Sequence, residues 1–287
     1  KSINIFGDGF GSVIFVDTTV PNTRDIFCIV PTAAISGVSF RNFGISSFAA
    51  GGRHAIHLNN AGTGFNTQNV HITDMFISPM EGGVSIKATG DANGGIGYST
   101  IGPNNNLESI GLVSIGDGVT ITGNVITSIT TANKGIEISA VAGAAGQQII
   151  GNVIAVPNCQ LCINSATTPI IRDNEFETPV GLVNGYGFLV DVGITSGISA
   201  PQLVNNQYSV LAGTGNPVAV RIRTGNLNTR IADARYVNQT GGQHIQIDAG
   251  ANDTAIDRNA IFVTNAVVVA PAITDNGTRT GWVQYFA

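Results

Sequence analysis

The segment from Val119 to Ile154 almost repeats itself, and this repetition constrains the fold of the whole chain. It begins with TITGNVI and ends with QIIGNVI, which places Asn124 and Asn152 at the same position of two copies. Between the copies lies one short alternating run, GIEIS, with turn residues on both sides. Short strands joined by turns fit this spacing and a helix does not. The segment therefore predicts one rung of a solenoid.

The same template continues on both sides of this segment. Each copy has an apolar residue three positions before its central residue and usually another two positions after it. The central residues are 8, 43, 75, 104, 124, 152, 174, 206, 234 and 259, and six of the ten are Asn. Their mean step of about 28 residues is typical of solenoid repeats. We interpret the preference for Asn in two ways: Asn tolerates the left-handed backbone of a sharp bend, and stacked Asn side chains hydrogen-bond from rung to rung.

A second set of short runs lies between these centres, once in each rung. Each run alternates apolar and polar residues, as a half-buried strand does. The runs are AIHLN, GVSIK, LVSIG, GIEIS, QLCIN, GFLVD, AVRIR, HIQID and AVVVA. With the usual hand of parallel crossovers, the two sets predict an all-β fold, a single-stranded right-handed parallel β-helix of about nine to ten rungs. We expect this domain to cover residues 1–280 and residues 281–287 to form a C-terminal tail in which Trp282 covers the end of the core.

Composition excludes some classes of partner for this solenoid. Charged residues make up only 11% of the chain, the formal net charge is −5, and no basic stretch is present. Nucleic acid is therefore not an expected partner. No apolar run is long enough to span a bilayer, so membrane insertion is not expected. We interpret Cys159 and Cys162 as two thiols at a strand edge, because no second Cys pair or nearby His completes a zinc site, and we expect no metal and no cofactor.

The order INIFGDGFGSVIF followed by irregular β-helix rungs resembles the pectate-lyase-like superfamily and, more narrowly, the β-helical body of bacteriophage tailspikes. The resemblance covers nearly the whole chain and is architectural. Neither the paired-Asp signature of polygalacturonases nor the calcium-binding Asp cluster of pectate lyases is present. The resemblance implies an extracellular, homotrimeric protein of the virion tail that binds, and often cleaves, bacterial surface polysaccharide. A trimer of rods would bury outward apolar residues such as Leu189 and Val268.

The outward side chains of the second set of runs give the candidate site. Aligned by their inward residues, these runs place five charged residues on one face, in two adjacent rows. One row contains Glu137 and Arg221, and the next contains Asp191, Arg223 and Asp248, together with Lys87. Glycoside hydrolysis needs two carboxyl groups, roughly 5 Å apart for retention or roughly 6.5–9.5 Å apart for inversion. Strands that lie about 4.8 Å apart can supply either distance.

The charges beside each carboxyl group suggest its role. In this alignment an Arg lies between Asp191 and Asp248 and should keep both ionised, because a nearby cation lowers the pKa of an acid. Glu137 has no cation in the adjoining positions. We therefore predict Glu137 as the general acid and Asp191 as the base or nucleophile, with Asp248 as the third catalytic carboxyl group and the two arginines positioning the glycan.

Further residues extend or replace this assignment. Lys87 and His57 lie on the same face and are predicted to bind substrate, and the reserve carboxyl groups Asp173, Glu175 and Glu177 lie near the Asn corner. A surface ladder of salt bridges would also produce such rows of charge. Two other functions therefore remain open: a glycan-binding spike or adhesin without activity, and a polysaccharide lyase that uses Lys87, His57 or Arg221 as its base.

Overall fold

The computed structural model describes most of the chain. The described residues are 2–9, 11–17, 24–30, 33, 35–47, 54–59, 67–78, 85–89, 96–128, 134–140, 144–157, 159–165, 168–177, 188–193, 200–210, 218–238, 243–257, 259–264, 267–268, 273–278 and 280–283. Within them every regular element is a β-strand, and the strands form two sheets. No helix in this part of the chain is long and apolar enough to cross a membrane.

One sheet has ten strands, and eight of them overlap a predicted run of the second set, from AIHLN to HIQID. The ninth run, AVVVA, was predicted to continue this series, and this is wrong: Val267–Val268 pairs antiparallel in the other sheet, and Ile273–Asp275 takes its place. Numbered in chain order, the ten strands are β3 (Phe27–Ile29), β5 (Ile56–Asn59), β7 (Ile86–Thr89), β11 (Ile110–Ile115), β14 (Ile136–Ala140), β17 (Leu161–Ser165), β20 (Phe188–Val192), β23 (Val218–Ile222), β26 (Gln243–Ile247) and β30 (Ile273–Asp275). Each strand pairs in parallel with the strand of the next rung. We call this the ten-stranded sheet.

The other sheet bends at the Asn corners, and we call it the bent sheet. Its strands are β1 (Ile3–Phe6), β2 (Val13–Val16), β4 (Ile35–Ser47), β6 (Thr67–Ile77), β8 (Ile96–Gly97), β9 (Thr100–Ile101), β10 (Asn106–Leu107), β12 (Thr120–Thr122), β13 (Val125–Thr127), β15 (Gln148–Ile150), β16 (Val153–Ala155), β18 (Ile170–Arg172), β19 (Glu175–Glu177), β21 (Gln202–Val204), β22 (Gln207–Val210), β24 (Arg230–Ala232), β25 (Arg235–Asn238), β27 (Ala255–Asp257), β28 (Ile261–Thr264), β29 (Val267–Val268) and β31 (Gly281–Val283). Among the described strands, only β28 and β29 pair antiparallel.

The inward residues stack directly above one another along the rod. The apolar position before each corner runs through Ile101, Ile121, Ile149, Ile171 and Leu203 in unbroken register, and all five side chains are fully buried. Burying apolar surface in such rows stabilises the fold by roughly 25 cal/mol for each Å² removed from water. This burial is the main stabilising contribution. The predicted fold class, a parallel β-helix, is confirmed.

The corners show which of the two explanations for Asn is correct. The left-handed backbone belongs to the residue just before the central Asn, with φ of 60° at Gly123, 64° at Gly151 and 58° at Asp173. The central residues Asn124, Asn152, Asn174 and Asn206 instead point inward and are at most 2% exposed. The backbone explanation is therefore wrong for the central residues, and the weak copy is centred on Asn105, because Asn104 holds the left-handed position with φ 61°.

The buried Asn residues form a ladder, as the second explanation predicts. Each Nδ2 donates to the Oδ1 of the Asn in the next rung, at 2.9 Å, 2.8 Å, 2.9 Å and 3.0 Å along the series Asn105, Asn124, Asn152, Asn174 and Asn206. Each Nδ2 also donates to a backbone carbonyl of its own corner or the previous one, such as Ile121 O at 3.0 Å from Asn152. The ladder ends where Ala234 takes the central position. Every buried amide within it is thus satisfied.

The first and last copies of the template differ from the prediction. Ile14, rather than Phe10, aligns with Ile45, because a turn closed by the Ser12 N–H to Gly9 O bond of 2.9 Å lengthens the first rung. Phe10 lies outside the described residues. In the last copy Phe262 aligns with Tyr236, so one extra residue moves the centre from 259 to 260.

Aromatic rings fill the C-terminal half of the core. Phe176, Tyr208, Tyr236 and Phe262 stack face to face, with ring centroids 5.3 Å, 4.8 Å and 5.0 Å apart. Burial raises the pKa of both tyrosines above the ordinary value. The strand Gly281–Val283, which the sequence assigns to a tail, pairs in parallel with β27 and extends the bent sheet, whereas residues 284–287 lie outside the described residues.

Candidate functional site

The ten-stranded sheet places one outward residue of each rung in a single row, which we call the groove row. Its members are Cys28, His57, Lys87, Gly111, Glu137, Cys162, Asp191, Arg221, Gln246 and Thr274. The sequence alignment placed Lys87 and Asp191 in the neighbouring row, and this is wrong. Alternation fixes which face a residue occupies, but a shift by two residues along a strand preserves that face and changes the row.

Two Arg–Asp ion pairs join the groove row to the neighbouring row of the same sheet face. Arg221 lies beside Asp191 in the groove row, yet its Nη2 contacts Asp248 Oδ2 at 2.7 Å and its Nε donates to the same oxygen at 3.0 Å. Arg223 Nε lies 3.0 Å from Asp191 Oδ1, and its Nη2 donates to Asn164 Oδ1 at 2.8 Å. The structure thus brings together four of the predicted site residues, all half-buried, as a connected set of charges.

The Arg223–Asp191 contact is close but poorly aligned as a hydrogen bond. Asp191 Oδ1 and Arg223 Nε are both buried, and within the described part of the chain neither has a hydrogen-bond partner. A buried polar atom without a partner costs about 1–3 kcal/mol. Such groups on a polar sheet face are suited to a ligand hydroxyl, which both donates and accepts.

Burial raises the pKa of Asp191 above its ordinary value, and the charge of Asp248 adds to this effect, while Arg223, Arg221 and Lys134 act in the opposite direction. The arginines thus lower the pKa of Asp191 as expected, but the net shift is upward because burial has the larger effect. Removal of the carboxylate from water outweighs the nearby guanidinium groups. A raised pKa is a property required of a general acid near neutral pH.

Glu137 has the opposite environment. Lys134, three residues earlier in the same rung, forms an ion pair with Glu137 Oε1, and both side chains are about one-third exposed. The adjoining row positions, Gly111 and Cys162, carry no cation, as predicted. The loop before β14 nevertheless brings Lys134 to Glu137, so the inference that its neighbours are uncharged is wrong. Glu137 and Asp191 are separated by one strand, which carries Cys162. Two strand spacings put their backbones roughly 9.6 Å apart.

Cys162 does not remain a thiol as expected. It forms a disulfide with Cys159, whose Cα lies 6.0 Å away, a separation usual for disulfides. The bridge closes the turn that leads into β17, and it lies between the two carboxylate-bearing strands.

The other predicted substrate-binding residues differ in accessibility. Lys87 lies in the groove row between His57 and Gly111. His57 is 8% exposed, so the expected outward imidazole is instead largely buried. Its Nδ1 lies 2.5 Å from Asp25 Oδ2, and His54 packs edge-on against its ring. Sequence reasoning missed Asp25 and His54, because they reach this strand from loops whose spacing follows no repeat.

The reserve carboxyl groups lie at the Asn corner, away from the groove row. A cleft of about 390 Å³ there is lined by Gly151, Asn152, Val153, Asp173, Asn174, Glu175, Asn205, Asn206, Gln207, Asp233 and Arg235. Asp173 and Glu175 accept hydrogen bonds from Asn205 Nδ2 at 2.8 Å and Gln207 Nε2 at 3.1 Å. Both carboxylates thus already accept a hydrogen bond from the protein, and Glu177 does not line the cleft. The side chains of Leu189 and Val268 lie outside the described residues.

The fold defines the chain as a parallel β-helix protein, and comparison with known proteins agrees with this class. It is similar to DFA-IIIase from Arthrobacter chlorophenolicus A6 without its lid in complex with GF2, with 15% identity, a TM-score of 0.52, and coverage of 96% of this chain and 84% of that one. It is also similar to DFA-IIIase from the same organism in complex with GF2, with 12% identity, a TM-score of 0.50, and coverage of 81% of this chain and 62% of the other. The chain thus spans less than two thirds of that enzyme's length.

A weaker likeness is to PfbA, a surface adhesin of Streptococcus pneumoniae, with 10% identity, a TM-score of 0.48, and coverage of 96% of this chain and 82% of the adhesin. No protein-family model matches the chain. No curated protein matches it in sequence. At these identities the shared feature is the fold, and the function has to be argued from the groove.

Proposed function

We propose that this chain is the β-helical body of a bacteriophage tailspike that binds bacterial surface polysaccharide and cleaves it by glycoside hydrolysis. The observation that carries the proposal is the pairing of two different carboxyl groups across one strand of the groove row. Asp191 is buried with a raised pKa, and Glu137 is ion-paired with Lys134. Glycoside hydrolysis requires one carboxyl group that donates a proton and one that accepts a proton, so two carboxyl groups in different environments suit it.

The two environments reverse the roles predicted from sequence. Asp191 is the general acid and donates its proton to the glycosidic oxygen as the C–O bond breaks. Glu137 is the base and takes a proton from the water that attacks the anomeric carbon from the opposite side. The spacing of roughly two strands matches the larger carboxyl separation of inverting enzymes, in which a water molecule lies beside the base. The product should therefore have inverted anomeric configuration.

The cations of the same face position the glycan. Arg221, Arg223 and Lys87 provide several N–H donors along the rod, and planar guanidinium groups suit hydroxyl and carboxylate groups of a polymer. Asp248 holds Arg221 in place through the 2.7 Å contact. A row of parallel strands makes a long, shallow groove, and a polymer requires a site of this shape.

A non-catalytic glycan-binding spike is the second candidate. The crossed Arg221–Asp248 and Arg223–Asp191 pairs favour it, since such pairs recognise sugar hydroxyls without any chemistry. A lyase is less favoured, because His57, one of its base candidates, is buried and contacts Asp25. These alternatives differ in product: new reducing ends for a hydrolase, unsaturated sugars that absorb in the ultraviolet for a lyase, and tight binding without product for a spike.

The test uses a panel of purified bacterial capsular polysaccharides and O-antigens. Asp191→Asn and Glu137→Gln should each slow the release of reducing ends by about 10²–10⁴-fold, because each removes one proton-transfer group. Asp8→Asn is the matched control, since Asp8 is an exposed carboxylate far from the groove row. Wild-type rates in both folded groove variants would contradict the hydrolase proposal, and ultraviolet-absorbing product would replace it with the lyase.

The tailspike proposal includes a homotrimer on the virion tail. Outward residues on one column of the bent sheet support it: Phe76, Val125, Val153 and Ile261 are 41%, 43%, 37% and 48% exposed. The same column also carries Asn106, Glu175, Gln207 and Arg235 between them. Neighbouring rods would cover its exposed apolar positions. Sedimentation of the full-length protein should give the mass of three chains, and a monomer would refute the trimer without affecting the groove assignment.

A further inference from the structure

The first rungs of the ten-stranded sheet contain a buried polar cluster that the glycan groove does not use. It consists of Asp25, His54 and His57, and one ligand atom from each lies within 4.8 Å of the other two. His54 and His57 are 6% and 8% exposed, and the Asp25 side chain is 12% exposed. Two imidazoles and one carboxylate form a ligand set that binds Zn²⁺ and similar ions. We propose that these residues bind one divalent transition-metal ion, with Zn²⁺ as the preferred ion.

The His57 ring already has the orientation of a metal ligand. Its Nδ1 faces Asp25, whose Oδ2 lies 2.5 Å away, and its Nε2 lies 3.3 Å from Thr89 Oγ1 on the next strand. A histidine that binds a metal through one nitrogen usually donates its other N–H to a fixed acceptor. With Nδ1 directed at the metal, the Nε2–H group donates to Thr89, and the hydroxyl fixes the tautomer.

Asp25 has an oxygen that the protein leaves unsatisfied. Its Oδ1 is buried and accepts no hydrogen bond of good geometry from any described residue, although the Cys28 thiol lies near the same carboxylate. A buried carboxylate oxygen without a donor is unfavourable, and a cation beside it removes that cost. An Asp25–His57 hydrogen bond alone does not satisfy Oδ1. A metal ion does, and it also uses the imidazole of His54, whose ring centroid lies 5.2 Å from that of His57.

The backbone holds the ligand-bearing segments together before any metal binds. Ile26 N donates to His54 O at 2.9 Å, and Phe27 N donates to Ala55 O at 3.0 Å. Zn²⁺ at about 2.0–2.2 Å from each ligand needs ligand atoms roughly 3–3.5 Å apart, so side-chain movements of about an ångström complete the site. Three protein ligands leave a fourth position for water. The metal would tie β3, which pairs only with β5 among the described strands, to the body of the rod.

The experiment titrates the chelator-treated chain with ZnCl₂ by calorimetry and follows its melting temperature. One equivalent should bind and raise the melting temperature, because an ion that binds only the folded state stabilises it. Asp25→Asn, His54→Ala and His57→Ala should each lower Zn²⁺ affinity by at least about 100-fold, and Thr89→Val by about 10–100-fold. His71→Ala is the control, since His71 is exposed on the bent sheet and should leave binding unchanged.

The outcome does not depend on whether the groove cleaves glycan. Absence of stoichiometric Zn²⁺ binding by the wild-type chain overturns the proposal, as does equal affinity in the wild type and a folded ligand variant. If the ligand variants do not fold, Thr89→Val decides, because it removes only a hydroxyl group from the partly exposed strand β7. Unchanged Zn²⁺ affinity in that variant would then refute the site.

Discussion

Replacing Asn152, which lies in the middle of the Asn ladder, by Ala should strongly destabilise the rod. Asn152 is fully buried. Its Oδ1 accepts from Asn124 N at 3.1 Å and Asn124 Nδ2 at 2.8 Å, and its Nδ2 donates to Ile121 O at 3.0 Å and Asn174 Oδ1 at 2.9 Å. Four bonds at about 0.5–1.5 kcal/mol each give an expected loss of roughly 2–6 kcal/mol in the free energy of unfolding.

A second position in the ladder, Asn206, loses fewer hydrogen bonds on replacement and so tests whether stability follows their number. Asn206 lies at the last position, where Ala234 offers no further amide, and its side chain makes three of these bonds: it accepts from Asn174 N and Nδ2 and donates to Ile171 O. Asn206→Ala should therefore cost roughly 1.5–4.5 kcal/mol. Asn4→Ala, at an exposed strand position, should change stability by no more than about 0.5 kcal/mol.

Urea unfolding followed by circular dichroism measures these differences through the shift in midpoint. The order of stability should be Asn4→Ala, then Asn206→Ala, then Asn152→Ala. If Asn152→Ala is no less stable than the Asn4 control, the ladder contributes nothing and the inward rows of aliphatic residues alone hold the corners.

Asn152→Asp separates hydrogen bonding from size. Aspartate keeps both accepted bonds and loses both donated ones, and burial raises its pKa in the folded state above that in the unfolded state. The folded state then retains a proton that the unfolded state releases, so stability is highest at acid pH and falls as pH rises above the ordinary value of about 3.9. A pH-independent difference from the wild type would refute this account of the corner.

The groove and the aromatic core give further expected outcomes. Cleavage should slow as pH rises through the raised pKa of Asp191. Arg223→Gln should move this decline to higher pH, because Arg223 lowers that pKa. An unchanged pH–rate profile in this variant would contradict the assignment of Asp191 as the acid. Gly193→Ala should weaken glycan binding in calorimetry with the fold intact, since a Cβ there would lie 2.4 Å from Arg223 Nε. Tyr236→Ala should cost about 3–5 kcal/mol in urea unfolding, and Phe15→Ala, at a side chain 63% exposed, should cost far less.

The rod itself follows from the sequence because each rung uses the same local chemistry. Alternation identified the inward rows, and the repeated Asn identified the corners, as the register from Ile121 to Ile149 shows. The explanation for Asn was half wrong: the bend is made by Gly123 and its equivalents, and Asn124 is selected for its buried side chain. A residue type that suits two roles does not reveal which one it has.

The site was harder to predict than the fold. Asp191 was assigned to the wrong row because a slide of two residues leaves alternation unchanged. Its raised pKa depends on burial, which three-dimensional packing determines. Lys134 reaches Glu137, and Asp25 reaches His57, from loops outside the repeat. Such contacts follow no period, so the sequence contains no spacing that would disclose them.

The direct rung-to-rung bonding of the Asn ladder makes the rung an insertable unit. A tandem copy of residues 152–173 would present the same amide to each neighbour, so the core and the corners would continue with one more layer. Glu137 and Asp191 lie on opposite sides of that insertion, and their separation would grow by about 4.8 Å. In a rod of this kind, inserting whole rungs changes the distance between two reactive groups in steps of one strand spacing, while the environment of each group stays the same.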